Sequence, residues 1–133
     1  MMYWALTIFN SNFIVLTMLF VYYPKCSTCK KAKKWLEENN LEFQEKDIVE
    51  DNPTVEELKE WYEKSDLPLK RFFNTSGMKY RELKLKDKLP DMSEDEQLEL
   101  LSTDGMLVKR PVIVSDGVVL TGFRQKEWEE KLL

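Results

Sequence analysis

The sequence predicts an α/β fold with a mixed sheet, in which the elements run β-α-β, then a mainly helical insert, then β-β-α. Short β-branched and aromatic runs before residue 24 and after residue 109 predict buried strands, and stretches with apolar residues at helical spacing lie between and beyond them. Ser115-Asp116-Gly117 separates two such runs closely enough to join them as an antiparallel hairpin. The 133 residues contain no internal repeat and no linker, so we expect one core.

The β-α-β half comes first in the chain. Phe13 to Tyr23 is dominated by β-branched and aromatic residues, which predicts a central strand buried on both faces. Ser27 to Asn40 is predicted to be a helix, because its apolar residues share one face with Cys29 while lysines and glutamates occupy the other. Two asparagines end this helix, and the alternating stretch from Leu41 to Val49 predicts the second strand.

The insert and the β-β-α half follow. Thr54, directly after Pro53, opens a helix with apolar residues at helical spacing, and residues 67–80 are predicted to hold short helical turns. Ser93 with Glu96 has the spacing of a capping box, which predicts a helix to about Ser102. The closing half comprises, in order, a strand at 109–114, the turn at 115–117, a strand at 118–121 and a helix from Gln125 to Leu132.

Residues 1–17 differ from the rest, because no charged residue occurs before Lys25. We interpret them as an apolar N-terminal extension that the native protein need not contain, ahead of a domain formed by residues 18–133 that begins at Met18. An ordered extra strand or helix is one alternative. A membrane anchor is another, since a span needs about 20 mostly apolar residues. A secretory signal fits less well, because the stretch lacks a basic leading region.

Composition excludes several classes of function. The net charge is −4, whereas a protein that binds nucleic acid directly needs a basic surface. The chain contains no histidine, which removes Ser-His and Cys-His catalytic pairs and histidine metal sites. Its two cysteines cannot complete a structural zinc site alone, so we expect no metal.

The most informative motif is Cys26-Ser27-Thr28-Cys29, at the predicted junction between a strand and a helix. Two cysteines three positions apart in a βαβ setting are typical of thioredoxin-like redox motifs. Unpaired N–H groups at a helix N-terminus stabilise a thiolate, so Cys26 is the predicted nucleophile. Cys29 lies one turn along the helix, close enough to resolve a mixed disulfide. Half of an intermolecular zinc site, inert packed thiols and a structural disulfide are the alternatives.

Four segments together resemble the ArsC/Spx family over about residues 18–132: YYPKCSTCKKAKKWL, RFFNTSG, VKRPVIV and TGFRQKEW. The resemblance implies a thioredoxin-like (glutaredoxin-like) fold with a helical insert, in agreement with the element order above. It also implies a cis proline that faces the active-site cysteine, for which Pro111 is the candidate.

Arsenate reductases of this family use one cysteine and three arginines that hold the oxyanion. The resemblance assigns these roles to Cys26 and to Arg71, Arg110 and Arg124. Arginine suits the role because its planar, permanently charged guanidinium binds oxyanions through two hydrogen bonds. The lysines around the motif either form a solvated helix face or make the surface near the cysteines electropositive, which would attract anions.

Cys29 departs from the arsenate reductase pattern, because reductases of this type lack a second cysteine and depend on glutathione and glutaredoxin. We therefore expect a cytoplasmic thiol–disulfide oxidoreductase acting on a small oxyanion or a disulfide, with no bound cofactor. Thioredoxin, or glutathione with glutaredoxin, would supply the external thiol reductant. The alternative is an Spx-like redox-sensing regulator that binds RNA polymerase, and a third reading is a relative that binds an anion without turnover.

Overall fold

A mixed four-stranded sheet organises residues 18–133, the part of the chain that this computed structural model describes. Its strands are β1 (Leu19–Tyr22), β2 (Gln44–Asp47), β3 (Val112–Ser115) and β4 (Val118–Thr121). They lie in the order β2-β1-β3-β4, with β1 parallel to β2 and antiparallel to β3. The antiparallel pair β3–β4 is the hairpin that the 115–117 turn predicts.

Six helices accompany the sheet within residues 18–133, and most of them fall in the insert between β2 and β3. Short 3-10 turns occupy Leu69–Phe72, Leu89–Asp91 and Gly105–Leu107. The helices are α1 (Ser27–Glu38), α2 (Val55–Ser65), α3 (Met78–Glu82), α4 (Leu85–Lys88), α5 (Glu94–Ser102) and α6 (Gln125–Leu132).

The sheet separates two apolar clusters, because neighbouring strand residues point to opposite faces. Phe20, Ile113 and Leu120 pack on the side covered by α1 and α6, where Trp128 is fully buried. The residues next to them in the strands pack instead against α2 and the rest of the insert. The helix pair α1 and α6 thus covers one face of the sheet, and the insert covers the other.

The second strand is shorter than the predicted stretch from Leu41 to Val49. At its start, the Leu41 N–H donates to the Leu36 carbonyl at 3.0 Å, and Asn40 adopts a left-handed φ of 58°. These are features of a Schellman cap, so Leu41 completes α1 rather than entering the sheet. At its end, the Asp47 carboxylate accepts hydrogen bonds from the N–H groups of Val49 and Glu50 and turns the chain.

The third strand begins three residues later than the predicted residue 109. The Lys109 N–H donates to the Phe72 carbonyl at 2.8 Å, and Val108 forms an isolated bridge with Phe73. The segment before Pro111 therefore pairs with the insert and not with the sheet. This pairing joins the insert to the segment before β3 that contains Arg110 and Pro111.

The extension predicted at residues 1–17, with its alternatives of an extra strand, a helix or a membrane anchor, lies outside the described residues. Between residues 18 and 133, none of the helices combines the length and the apolar character needed to cross a bilayer.

Candidate active site

Cys26 occupies the N-cap of α1, at the end of a turn that follows β1. The turn closes through a hydrogen bond from the Cys26 N–H to the Tyr23 carbonyl, 3.0 Å long. Cys26 has extended backbone angles, so the chain enters α1 directly after it. Its half-buried thiol therefore lies beside the unpaired N–H groups of the first helical turn.

The environment of Cys26 favours its thiolate. Burial raises the pKa of a thiol, but the nearby backbone N–H and thiol of Cys29 counteract burial. The charge of the Arg110 guanidinium and the Thr28 backbone N–H act in the same direction as Cys29. The pKa of Cys26 therefore lies below the ordinary value for a thiol. A lowered pKa is the property that a nucleophilic cysteine needs near neutral pH.

Cys29 has the opposite environment one turn further along α1. Only 1% of its surface is exposed, and burial together with the Cys26 thiol raises the pKa of Cys29 to about 12. The Tyr23 N–H donates to the Cys29 sulfur at 3.5 Å. Both thiols are free. Cys29 is thus held protonated beside a more acidic thiol, as expected for a resolving cysteine that acts second.

We expect an alkylating reagent at neutral pH to modify Cys26 and to leave Cys29 unmodified. Because the thiolate is the reactive form, the rate at Cys26 should reach half its plateau below the ordinary pKa of about 8.5. Cys29, with its pKa of about 12, stays protonated and shielded over the same range. Iodoacetamide labelling against pH, with peptide mass spectrometry, measures both rates. The urea-unfolded chain is the control, and equal labelling of both folded thiols would contradict this assignment.

A cavity of about 770 Å³ opens beside Cys26. Its wall contains all three arginines that the resemblance to the ArsC/Spx family implies: Arg71, Arg110 and Arg124. Cys29 does not contribute to the wall. Pro111 is buried directly after Arg110, and the peptide bond between them is cis. The structure therefore gathers the candidate nucleophile and the three arginines around one space, with the candidate resolving thiol behind it.

The three arginines differ in how they are held. Arg110 is half-buried, and its Nε and Nη1 atoms are buried without a hydrogen-bond partner among residues 18–133. Arg71 Nη2 donates to the Thr121 carbonyl at 3.3 Å and lies 3.6 Å from Glu127 Oε1. Arg124 is exposed at the N-cap of α6. Of the three, Arg110 is the arginine whose charge acts to lower the pKa of both thiols. The charge of Arg71 is partly neutralised by Glu127.

Three residues at this site were not predicted from the sequence. Tyr23 contacts both cysteines through its backbone, Glu127 pairs with Arg71, and Lys109 adds a further cation to the cavity wall. Lys109 directly precedes Arg110, so a cation at that position was readable as part of the KRP segment. Nothing in the sequence indicates Glu127, because its partner Arg71 lies far earlier in the chain. Nothing indicates Tyr23, because it contacts the cysteines through its backbone atoms.

The model of the ArsC family matches residues 21–131. The chain belongs to the ArsC family. It is 60% identical to the uncharacterized protein YusI of Bacillus subtilis (strain 168), over 86% of this chain and 98% of YusI. The regulatory protein MgsR of the same organism is 30% identical, over 83% of this chain and 86% of MgsR.

Solved structures of the ArsC family superpose closely on this member. An ArsC-family-related protein from Bacteroides fragilis is 61% identical with a TM-score of 0.83, covering 85% of this chain and 95% of that one. The arsenate reductase from Vibrio cholerae is 26% identical with a TM-score of 0.79, covering 90% of this chain and all of that one, 100%. These neighbours confirm the predicted family resemblance and the α/β, thioredoxin-like fold.

Proposed function

We propose that this ArsC-family chain is a cytoplasmic thiol–disulfide oxidoreductase, in which Cys26 attacks an oxyanion or a disulfide and Cys29 resolves the product. One observation carries the proposal: a thiol with a lowered pKa opens onto a cavity that contains three arginines. The arginines offer permanent positive charge where a negative charge would bind. The likeness to the Vibrio cholerae arsenate reductase makes arsenate the first oxyanion to test. The cytoplasm keeps thiols reduced, which this chemistry requires of both cysteines before each turnover.

With arsenate, the Cys26 thiolate forms a sulfur–arsenic bond while one arsenate oxygen leaves as water. The Cys29 thiol then loses its proton and attacks the Cys26 sulfur. A disulfide bond forms, the sulfur–arsenic bond breaks, and its electron pair stays on arsenic, which leaves as arsenite. Two thiols are oxidised as one As(V) is reduced to As(III). Two external thiols return the disulfide to two thiols and become a disulfide themselves: the pair in thioredoxin, or two glutathione molecules with glutaredoxin.

With a disulfide substrate, the same two thiols act in the same order. Cys26 attacks one sulfur and forms a mixed disulfide, and the other half of the substrate leaves as a thiolate. Cys29 then attacks the Cys26 sulfur and releases the second half. No metal or bound cofactor takes part in either scheme. The cavity of about 770 Å³ has room for molecules larger than a tetrahedral oxyanion.

The test is a single-turnover reaction of the reduced protein with arsenate, and separately with glutathione disulfide. Protein thiols, counted after glutathione is removed, are quantified over time together with arsenite and the Cys26–Cys29 disulfide. We expect two protein thiols to be lost per chain with at least one substrate. If thiols and disulfide stay unchanged with both substrates, although the protein is folded and Cys26 is alkylated normally, the oxidoreductase proposal is wrong.

Among the arginines, Arg110→Met should weaken the binding of phosphate, an unreactive oxyanion, more than Arg71→Met or Arg124→Met. Arg110 is the arginine whose charge reaches the thiols, whereas Arg71 is paired with Glu127 and Arg124 is solvated. We expect roughly tenfold weaker binding for Arg110→Met, since charge-assisted hydrogen bonds are the strong ones. Calorimetric titration measures the three dissociation constants, with the exposed Arg81→Met as control. An equal loss at all three positions would contradict this ranking.

A second function is favoured by the likeness to the regulatory protein MgsR. In that function the Cys26–Cys29 disulfide is the signal itself, and the partner is RNA polymerase, as the Spx resemblance implies. A pulldown of purified RNA polymerase with the reduced and the oxidised protein separates the two functions. Specific binding that changes on oxidation, without turnover of either substrate, would favour the regulator.

A further inference from the structure

Tyr23 links three parts of the candidate site. Its carbonyl accepts a hydrogen bond from the Cys26 N–H at 3.0 Å, and its N–H donates to the Cys29 sulfur at 3.5 Å. Its ring faces Arg110, whose guanidinium carbon lies 5.2 Å from the ring centroid. One half-buried residue between β1 and α1 thus contacts the Cys26 backbone and the Cys29 thiol through its own backbone, and the arginine through its side chain.

The contact with the ring matters because of how Arg110 is otherwise held. Two of its guanidinium nitrogens, Nε and Nη1, are buried and find no hydrogen-bond partner in the described part of the chain. No carboxylate of residues 18–133 forms an ion pair with Arg110. Arg71, by contrast, is held by Glu127 and the Thr121 carbonyl. A guanidinium without such partners is attracted to the negative face of an aromatic ring.

We propose that Tyr23 is a positioning residue, whose ring holds the Arg110 guanidinium at Cys26. The Arg110 charge can then stabilise the thiolate and attract the incoming anion. The inference rests on the proposed function in one respect, since it takes Arg110 as the group that binds the anion. The Tyr23 ring acts through Arg110, and only the Tyr23 backbone N–H touches a reacting sulfur, that of Cys29. A ring can hold a cation without neutralising it, whereas a carboxylate would remove the charge on which the site depends.

The test compares Tyr23→Leu, which removes the ring, with Tyr23→Phe, which keeps it. Both variants retain the backbone groups that contact the cysteines. In Tyr23→Leu, we expect Cys26 alkylation at pH 7 to fall roughly threefold as the pH profile moves upward, and phosphate binding to weaken by a similar factor. Tyr23→Phe should match the unmodified protein within about twofold, since a phenyl face also attracts cations.

Two further variants make the result specific. Tyr22→Leu is the matched control, because Tyr22 is the adjacent half-buried tyrosine and its ring stacks on Phe20, with centroids 5.5 Å apart, instead of on Arg110. It should leave the Cys26 pH profile unchanged. The double variant Tyr23→Leu/Arg110→Met should behave like Arg110→Met alone, because Tyr23 acts through that arginine.

The outcomes separate this inference from the proposed function. If Arg110→Met changes alkylation and phosphate binding but Tyr23→Leu changes neither, Tyr23 has no positioning role and the proposed function stands. If Arg110→Met itself changes neither, the anion-binding role in the proposed function is wrong and the inference falls with it. If Tyr22→Leu shifts the profile as much as Tyr23→Leu does, the effect is a general loosening of the turn, which also overturns the inference.

Discussion

Replacing Cys26 with serine is expected to abolish the loss of protein thiols on addition of arsenate or glutathione disulfide. A serine hydroxyl does not ionise near neutral pH, so neither the N–H groups at the start of α1 nor the charge of Arg110 can convert it into a nucleophile. The rate should fall by at least about a thousandfold. Serine is close to cysteine in size, so the fold should be retained. Single-turnover thiol quantification measures the loss, and circular dichroism checks the fold.

Cys29→Ser is the matched control for that experiment, because it removes the second thiol and keeps the first. Its Cys26 should still react, but the reaction with glutathione disulfide should stop at a mixed disulfide on Cys26. Intact-protein mass spectrometry detects this adduct directly. Turnover in the Cys26→Ser variant would contradict the assignment of the nucleophile. Release of the adduct from Cys29→Ser at the unmodified rate would contradict the assignment of the resolving thiol.

Gly105→Ala is expected to be the most destabilising of the glycine-to-alanine changes at the four glycines that the structure describes. Gly105 begins the 3-10 turn before the Arg110 segment and lies against the end of β2. A methyl group on Gly105 would overlap the Ile48 carbonyl oxygen and lie 2.7 Å from its carbonyl carbon. Both are backbone atoms of a fully buried residue, so the main chain must shift. Overpacking of this kind costs about 3 kcal/mol or more in the free energy of unfolding.

Urea unfolding followed by tryptophan fluorescence measures this loss, with Gly117→Ala as the matched control. Gly117 lies in the β3–β4 turn with a φ of 77°, and a methyl group there would meet no atom within 4 Å. Gly117→Ala should therefore cost only about 1 kcal/mol, from the left-handed backbone. If both variants lose the same stability, the contact with Ile48 does not govern Gly105.

The helix starts could be predicted because they depend on neighbours in the chain. The capping box at Thr54 forms through Glu57, and that at Ser93 forms through Glu96. In each case, the threonine or serine and the glutamate lie three positions apart, so a local pattern contains the whole interaction. The last helix has the predicted bounds Gln125–Leu132 for a similar local reason, since its apolar face includes the buried Trp128.

The strand ends and one helical stretch could not be predicted in the same way. Leu41 caps α1 instead of entering β2. Lys109 pairs with Phe72, which lies far earlier in the chain, instead of entering β3. Helix α4 and the 3-10 turn at Leu89–Asp91 follow a left-handed Lys84, with a φ of 54°, that no local pattern indicates. These outcomes depend on which segments pack together, and that information is not local.

By itself, the sequence determined that Cys26 begins a helix, that Cys29 follows one turn later, and that no histidine assists them. Only the tertiary structure decided that Arg71, Arg110 and Arg124 border the same cavity as Cys26, and that Glu127 restrains one of them while Tyr23 contacts another. A helix start depends on residues a few positions apart, whereas this cavity needs the insert, the segment before β3 and the start of α6 to meet at the start of α1. The charge around the thiol is therefore a property of the packed fold.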